Sequence, residues 1–276
     1  MSTTPPFDYS PIVERDYDLP DGTRLAAWVI LNVEHFRYDL PYREGDPVPD
    51  SKGHGRREYG TRVGYWRLQE ILDDHSVPAT LALNSEVCDH EPAVVEAAVE
   101  RDWAIMGHGR TNSRRLVGMD RRTAEREIRE TRDRIERFTG SPPAGWLSPG
   151  LQHTAETPEL LEETGFSYVC DWCADDQPFE LADLDLVTVP YSLDLNDTRL
   201  FRSSGYTGPQ YRDAILDAAD TLAAEGNRVL PIPLHPYITG QSFRAPHFEA
   251  VLAELVDRED VWLTTGDELA SHFRGE

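Results

Sequence analysis

The side chains of this chain that could do chemistry fall, one after another, at the ends of short apolar runs. Glu34 closes LAAWVILNVEHF (Leu25 to Phe36), and Asn84 closes ATLALNS. His108 and Asn112 sit in GHGRTNS, directly after the apolar stretch Trp103 to Met106. FSYVCDW ends in Asp171 and Trp172 with Asp175 and Asp176 just beyond, LVTVPYS ends near Tyr191 and Asp194, and His235 closes VLPIPLHP. Carboxylates and imidazoles gathered in this way are a hydrolytic inventory. A carboxylate or imidazole can take a proton from water while an imidazolium protonates a leaving nitrogen. Alternatively a carboxylate, an imidazole and a third ligand can hold a divalent ion, which lowers the pKa of bound water from about 15.7 toward about 7. The spacing alone does not choose between the two chemistries.

The elements that must position these groups are legible from periodicity. Runs rich in β-branched and aromatic residues read as buried strands. Between them lie stretches with apolar residues at helical spacing: Tyr59 to His75, Glu91 to Asp102, Arg121 to Phe138, Glu156 to Gly165, Gln210 to Glu225 and a helix from Pro246. Gly140, Gly165 and Gly226 punctuate three of them. Arg37 to Glu58 carries Pro, Gly and scattered charge and reads as a long loop at the first strand end. Strand and helix alternate seven or eight times, so a parallel α/β fold is expected, a barrel in preference to an open sheet. Chemistry in such barrels sits at the C-terminal strand ends. No GxGxxG follows the first strand, which removes the main support for a dinucleotide fold. Nothing divides the sequence, so residues 1–276 are expected to form a single domain, with 1–24 as an N-terminal arm.

Composition bounds the partners. A net charge of −23 repels phosphate, which argues against nucleic acid and against an anionic membrane. Lys52 is the only lysine, and abundant Asp and Glu suit a salt-rich cytoplasm that screens self-repulsion, so the protein is expected to be halophilic. MSTTPPFDYSPIVERDY lacks a basic region followed by an apolar core, and no window approaches a membrane span, so a cytoplasmic location is expected. Three cysteines are too few for a disulfide framework, and the lone CxxC of Cys170 and Cys173 lacks the second pair of a structural zinc site.

Five segments carry a family resemblance across nearly the whole chain: YGTRVGYWRL (Tyr59 to Leu68), GHGRTNS (Gly107 to Ser113), Gly145 to Phe179 beginning GWLSPG, VPYSLDLNDTRLF (Val189 to Phe201) and LHPYITGQSFR (Leu234 to Arg244). Their content and order resemble the polysaccharide deacetylase superfamily, carbohydrate esterase family four, and within it the branch of cofactor-independent allantoinases and cyclic-imide hydrolases. The resemblance implies a distorted β/α barrel. Where family deacetylases end the first strand in two aspartates, this chain has Glu34 alone. Where they have two metal-binding histidines four residues apart, it has His108 and Asn112. The arginine of their third motif is replaced by Leu147, and their general-acid histidine matches His235.

The resemblance implies a hydrolase of C–N bonds other than peptide bonds, acting on a small cyclic amide, imide or ureide. The alternatives are a de-N-acetylase of an intracellular N-acetylated sugar and a ligand-binding barrel that has lost its chemistry. Glu34, His108, His235 and Asp171 are the candidate catalytic residues. Asn84, Asn112, Trp172, Asp175, Asp176 and Tyr191 are the candidate substrate contacts, with Phe201 and Tyr237 as further apolar walls. Backbone N–H groups of Ser148 to Gly150 are candidates for an oxyanion site. The cofactor is expected to be either none or one divalent, zinc-like ion held by Glu34, His108 and Asn112. A small-molecule substrate is the expected partner, and the relatives imply a homo-oligomer.

Overall fold

Strand β1 (Leu25–Val33) is buried along its whole length, as expected of a parallel strand covered on both faces. Its two faces enter different layers. Leu25, Ala27, Val29, Leu31 and Val33 pack with apolar residues of the surrounding helices. Ala26, Trp28 and Ile30 instead join Ala82, Met106, Leu147, Tyr168, Val187 and Val229, residues drawn from nearly every other strand. This second cluster is the interior of a curled sheet, and the period-two alternation of a strand is what sorts β1 between the layers.

The computed structural model describes residues 5–41, 45 and 47–276. The sheet continues with β2 (Ala79–Leu83), β3 (Ala104–Gly107), β4 (Gly145–Trp146), β5 (Tyr168–Val169), β6 (Phe179–Glu180), β7 (Val187–Thr188), β8 (Arg228–Leu234) and β9 (Val261–Thr264). The order is β6-β7-β5-β4-β3-β2-β1-β8, with β9 also paired to β1. Only β6 and β7 run antiparallel. β8 pairs with β1 from Leu25↔Arg228 to Leu31↔Leu234, while β9 takes Leu25 to Trp28 and β2 takes Val29 to Val33. The Val229 N–H donates to the Asp176 carbonyl at 2.8 Å, tying the chain after β5 to the start of β8. The result is a distorted β/α barrel.

The helices are α1 (Ser51–Tyr59), α2 (Tyr65–Asp74), α3 (Val87–His90), α4 (Pro92–Val99), α5 (Arg121–Thr139), α6 (Thr157–Thr164), α7 (Gly208–Glu225), α8 (Ala245–Val256) and α9 (Gly266–Arg274). No helix among the described residues is long and apolar enough to cross a membrane. α5 starts where the Asp120 carboxylate accepts from the Thr123 N–H, and it stops at Gly140 in the left-handed region. α1 corrects the expected loop over Arg37 to Glu58. Asp50 caps it through the Gly53 N–H, but it buries none of its side chains, so no apolar periodicity announces it. A π-helical turn (Gly60–Gly64) then joins α1 to α2. Gly64 lies where any side chain would strike the Pro236 carbonyl, and Gly60 lies against Tyr237. These two glycines let the turn close onto the segment that follows β8.

Candidate active site

Strand alternation also decides which polar groups reach the barrel mouth. Asn32 and Glu34 continue the interior face of Ala26, Trp28 and Ile30. His108 lies two residues beyond the interior Met106, His235 has the parity of the interior Val229, and Tyr191 follows Val187 and Val189. All of them line one cleft of about 480 Å³, within the usual range for a small-molecule site.

Glu34 is the centre of this cleft. Its side chain is only 6% exposed, and Oε1 lies 3.8 Å from Nε2 of His108 and 3.7 Å from Nε2 of His235. The Asn112 amide donates to the same oxygen. The other oxygen, Oε2, is buried and has no hydrogen-bond partner among the described residues. The loop carrying Asn112 is clamped to the end of β1, because the Asn112 N–H and the Thr111 hydroxyl both donate to the His35 carbonyl, at 2.9 and 2.8 Å.

The two histidines are held differently. Nδ1 of His108 lies 2.7 Å from the Leu147 carbonyl, which can only accept, so the proton is fixed on Nδ1 and Nε2 is turned toward Glu34. Nδ1 of His235 lies 2.7 Å from Oδ1 of Asp197, whose Oδ2 accepts from the His235 N–H and the Thr239 hydroxyl, each at 2.7 Å. Asp197 is fully buried. Burial disfavours a charge on His235, but the Asp197 and Glu34 carboxylates outweigh it and raise its pKa above the ordinary histidine value. Burial likewise opposes ionisation of Glu34, yet the charge of His235, the neighbouring His108 imidazole and the charge of Arg57 outweigh it and hold its carboxyl below the usual carboxylate range. The arrangement therefore pairs an ionised carboxylate with an imidazolium, which are a base and an acid.

A metal held by Glu34, His108 and Asn112 would have to draw on the Asn112 carbonyl oxygen, which is buried without a partner among the described residues. Asn112 presents its amide N–H, not its carbonyl oxygen, to Glu34. His235 approaches Glu34, but among the described residues Glu34, His108 and His235 do not bring three ligand atoms within 4.8 Å of one another. The His35, Glu86 and His90 set that does so uses His35, which takes the opposite parity from Glu34. Its two imidazoles stack at 4.3 Å and 7°, so no single ion can lie in both ring planes.

Several sequence candidates lie elsewhere. Asp171 follows Val169 on the outward face of β5, away from the cleft lining; its carboxylate accepts from the Ser148 N–H at 2.6 Å, and burial raises its pKa. That bond also removes Ser148 from the expected oxyanion site, and Pro149 has no N–H. Asn84 joins strand ends, accepting from the His35 N–H at 2.9 Å and donating to the His108 carbonyl. Trp172 packs edge-on against Phe7 and His153. Asp175 pairs with Arg15 at 2.7 Å, and Asp176 meets the first residues of β8, at the opposite end from His235. Phe201 stacks on Tyr211, whereas Tyr191 and Tyr237 line the cleft. Cys170 and Cys173 are free thiols. Asp197, which the sequence reading passed over, belongs to the Val189 to Phe201 segment and lies just before a second π-helical segment (Thr198–Ser203).

The chain is similar to known proteins over most of its length. The polysaccharide deacetylase family profile matches residues 58–169. A Schizosaccharomyces pombe relative bearing the polysaccharide deacetylase name is 25% identical over 249 residues, covering 81% of this chain and 77% of that one. A Pseudomonas aeruginosa PAO1 structure bearing the same family name is 26% identical, with a TM-score of 0.84 over 94% of this chain and 93% of that one. The structure of PuuE allantoinase is 25% identical, with a TM-score of 0.83 over 93% and 92% of the two chains. The chain carries a polysaccharide deacetylase domain over residues 58–169 and shares its fold nearly end to end with these two solved structures.

Proposed function

We propose that the protein hydrolyses a C–N bond of a small cyclic amide, imide or ureide by acid/base catalysis, without a metal. The observation that carries this reading is the buried Glu34 carboxylate set between two imidazoles, one of them backed by the buried Asp197. Glu34 takes a proton from water through Oε2, which has no partner among the described residues. The water oxygen attacks the carbonyl carbon, the C–N bond breaks, and Nε2 of His235 gives its proton to the departing nitrogen. One water is consumed, the ring opens to a carboxylic acid and a free amide or amine, and the proton held by Glu34 passes to His235, which restores both groups. Asp197 orients His235 and stabilises its charged form. His108 and Asn112 hold Glu34 from the other side.

The likeness to an allantoinase over more than nine-tenths of each chain supports the cyclic-amide reading. The family profile supports a second one, removal of an N-acetyl group from a small sugar. Both take residues 1–276 as one catalytic domain working on a small molecule in the cytoplasm, with Glu34, His108 and His235 as its catalytic residues. A turnover screen on allantoin, succinimide, hydantoin and N-acetylglucosamine, run with and without chelator at high salt, tests the proposal. Ring opening that survives the chelator is expected. Acetate release alone, or activity lost to the chelator, contradicts it, and silence on every substrate favours a ligand-binding barrel.

A further inference from the structure

Two arginines stand at the mouth of the cleft. Arg115 enters from the loop after His108 and Arg199 from the π-helical segment after Asp197, and both line the cavity that holds Glu34 and His235. Neither guanidinium makes a hydrogen bond or ion pair with another described residue. Carboxylates are not scarce in this chain, with 50 acidic residues against 27 basic ones, and many of the other arginines are paired with them. Arg110, for instance, reaches Glu86, Glu127 and Glu130. The one exposed carboxylate among the cleft residues, Asp194, is within ion-pair distance of neither guanidinium.

The backbone makes room for Arg115. Gly150 has φ +64, a conformation that L side chains rarely adopt, and a Cβ there would lie 2.5 Å from Nη1 of Arg115. The guanidinium thus occupies the space that a side chain at position 150 would fill. Further positive charge lies close by. Arg57 contributes to the field at Glu34, and Arg202 to that at His235. Burial first, then the like charges of Arg202 and Arg57, lowers the pKa of Arg56. A protein of net charge −23 repels anions overall, so a local positive rim is what an anionic ligand would need to enter.

We propose that the substrate is an amide or imide that itself carries a carboxylate, and that Arg115 and Arg199 hold this carboxylate at the cleft mouth while the reacting carbonyl sits at Glu34 and His235. This rests on the hydrolase reading above and narrows its substrate class to anions. Guanidinium groups bind carboxylates through paired N–H donors and so fix orientation as well as charge. A neutral glycan makes no use of such a pair.

The test uses hydantoin and hydantoin-5-acetate, a pair that differs by one carboxymethyl group. Calorimetric binding and steady-state turnover are measured for the wild type, Arg115→Gln, Arg199→Gln and Arg122→Gln, the last a charge-matched control on the exposed face of α5. Hydantoin-5-acetate is expected to bind at least about tenfold more tightly than hydantoin. Arg115→Gln and Arg199→Gln are each expected to erase about tenfold of that preference, through KM more than kcat. Arg122→Gln is expected to retain it. Equal binding of the two compounds, binding of neither, or a preference untouched by both cleft variants overturns the inference. Turnover separates the two claims: hydrolysis without anion preference leaves the hydrolase reading standing, whereas arginine-dependent binding without hydrolysis removes that reading and keeps the anion site.

Discussion

His108 and His235 approach the same Glu34 oxygen, at 3.8 and 3.7 Å, yet their far nitrogens meet different partners. A backbone carbonyl fixes the proton on Nδ1 of His108 and adds no charge. A buried carboxylate on Nδ1 of His235 fixes the tautomer and also stabilises the imidazolium. One residue type, on strand ends of one barrel, is thereby given two roles. The partner on the nitrogen that never touches substrate makes the difference.

Substitutions around this pair can break the comparison. The largest effect is expected at Glu34, on which both halves converge: Glu34→Gln is expected to lower kcat by about a thousandfold or more, read by steady-state turnover on whichever substrate the screen yields. His235→Ala is expected to abolish hydrolysis to a similar degree while the far-UV circular dichroism stays native. Asp197→Asn is expected to cost about a hundredfold, and it should also move the alkaline limb of the kcat/KM profile to lower pH. His108→Gln is expected to lower kcat while leaving that limb in place. If His108→Gln shifts the limb instead, the roles of the two histidines are exchanged.

The same asymmetry has a stability signature. The folded-state pKa of His235 is raised, so the native state holds its proton where the unfolded chain, near about 6.5, begins to lose it. Its contribution is fully present below that unfolded value and fades as pH rises through the folded one. For Glu34, whose pKa is lowered, the contribution is present above the unfolded carboxylate value and is lost as pH falls through the folded one. Urea unfolding across pH should therefore show Asp197→Asn losing most relative to wild type in acid-to-neutral solution and less in alkali. The smallest expected effect is that of a chelator, less than about twofold on kcat, because Asn112 offers Glu34 a donor where a metal needs an acceptor.

Much of this was legible in the chain itself. The apolar run of β1 and its polar ending pointed to the barrel and to Glu34 at its rim, and the order of five segments carried the resemblance to the polysaccharide deacetylases. The rest depended on facts that a strand's end alone does not carry. Asp171 and His235 both follow apolar runs, but Asp171 shares the parity of the outward Val169, whereas His235 shares that of the interior Val229. Counting alternate residues from the buried interior would have separated them. Asp175 and Asp176 were drawn to the wrong end because nothing in the sequence says that the chain after β5 turns back toward the start of β8. Asp197 hid within an irregular stretch beyond β7, where no period assigns a direction to a side chain. α1 hid because it buries no apolar face.

The most direct measurement of the central claim needs no substrate. An NMR titration of the ring nitrogens of His235 in the wild type and in Asp197→Asn reads the charge state on which the account depends. Wild-type His235 is expected to titrate above the ordinary histidine value, with the proton retained on Nδ1, and its pKa is expected to drop in Asp197→Asn. A wild-type His235 that titrates below the ordinary value, or one that Asp197→Asn leaves unchanged, would contradict this expectation.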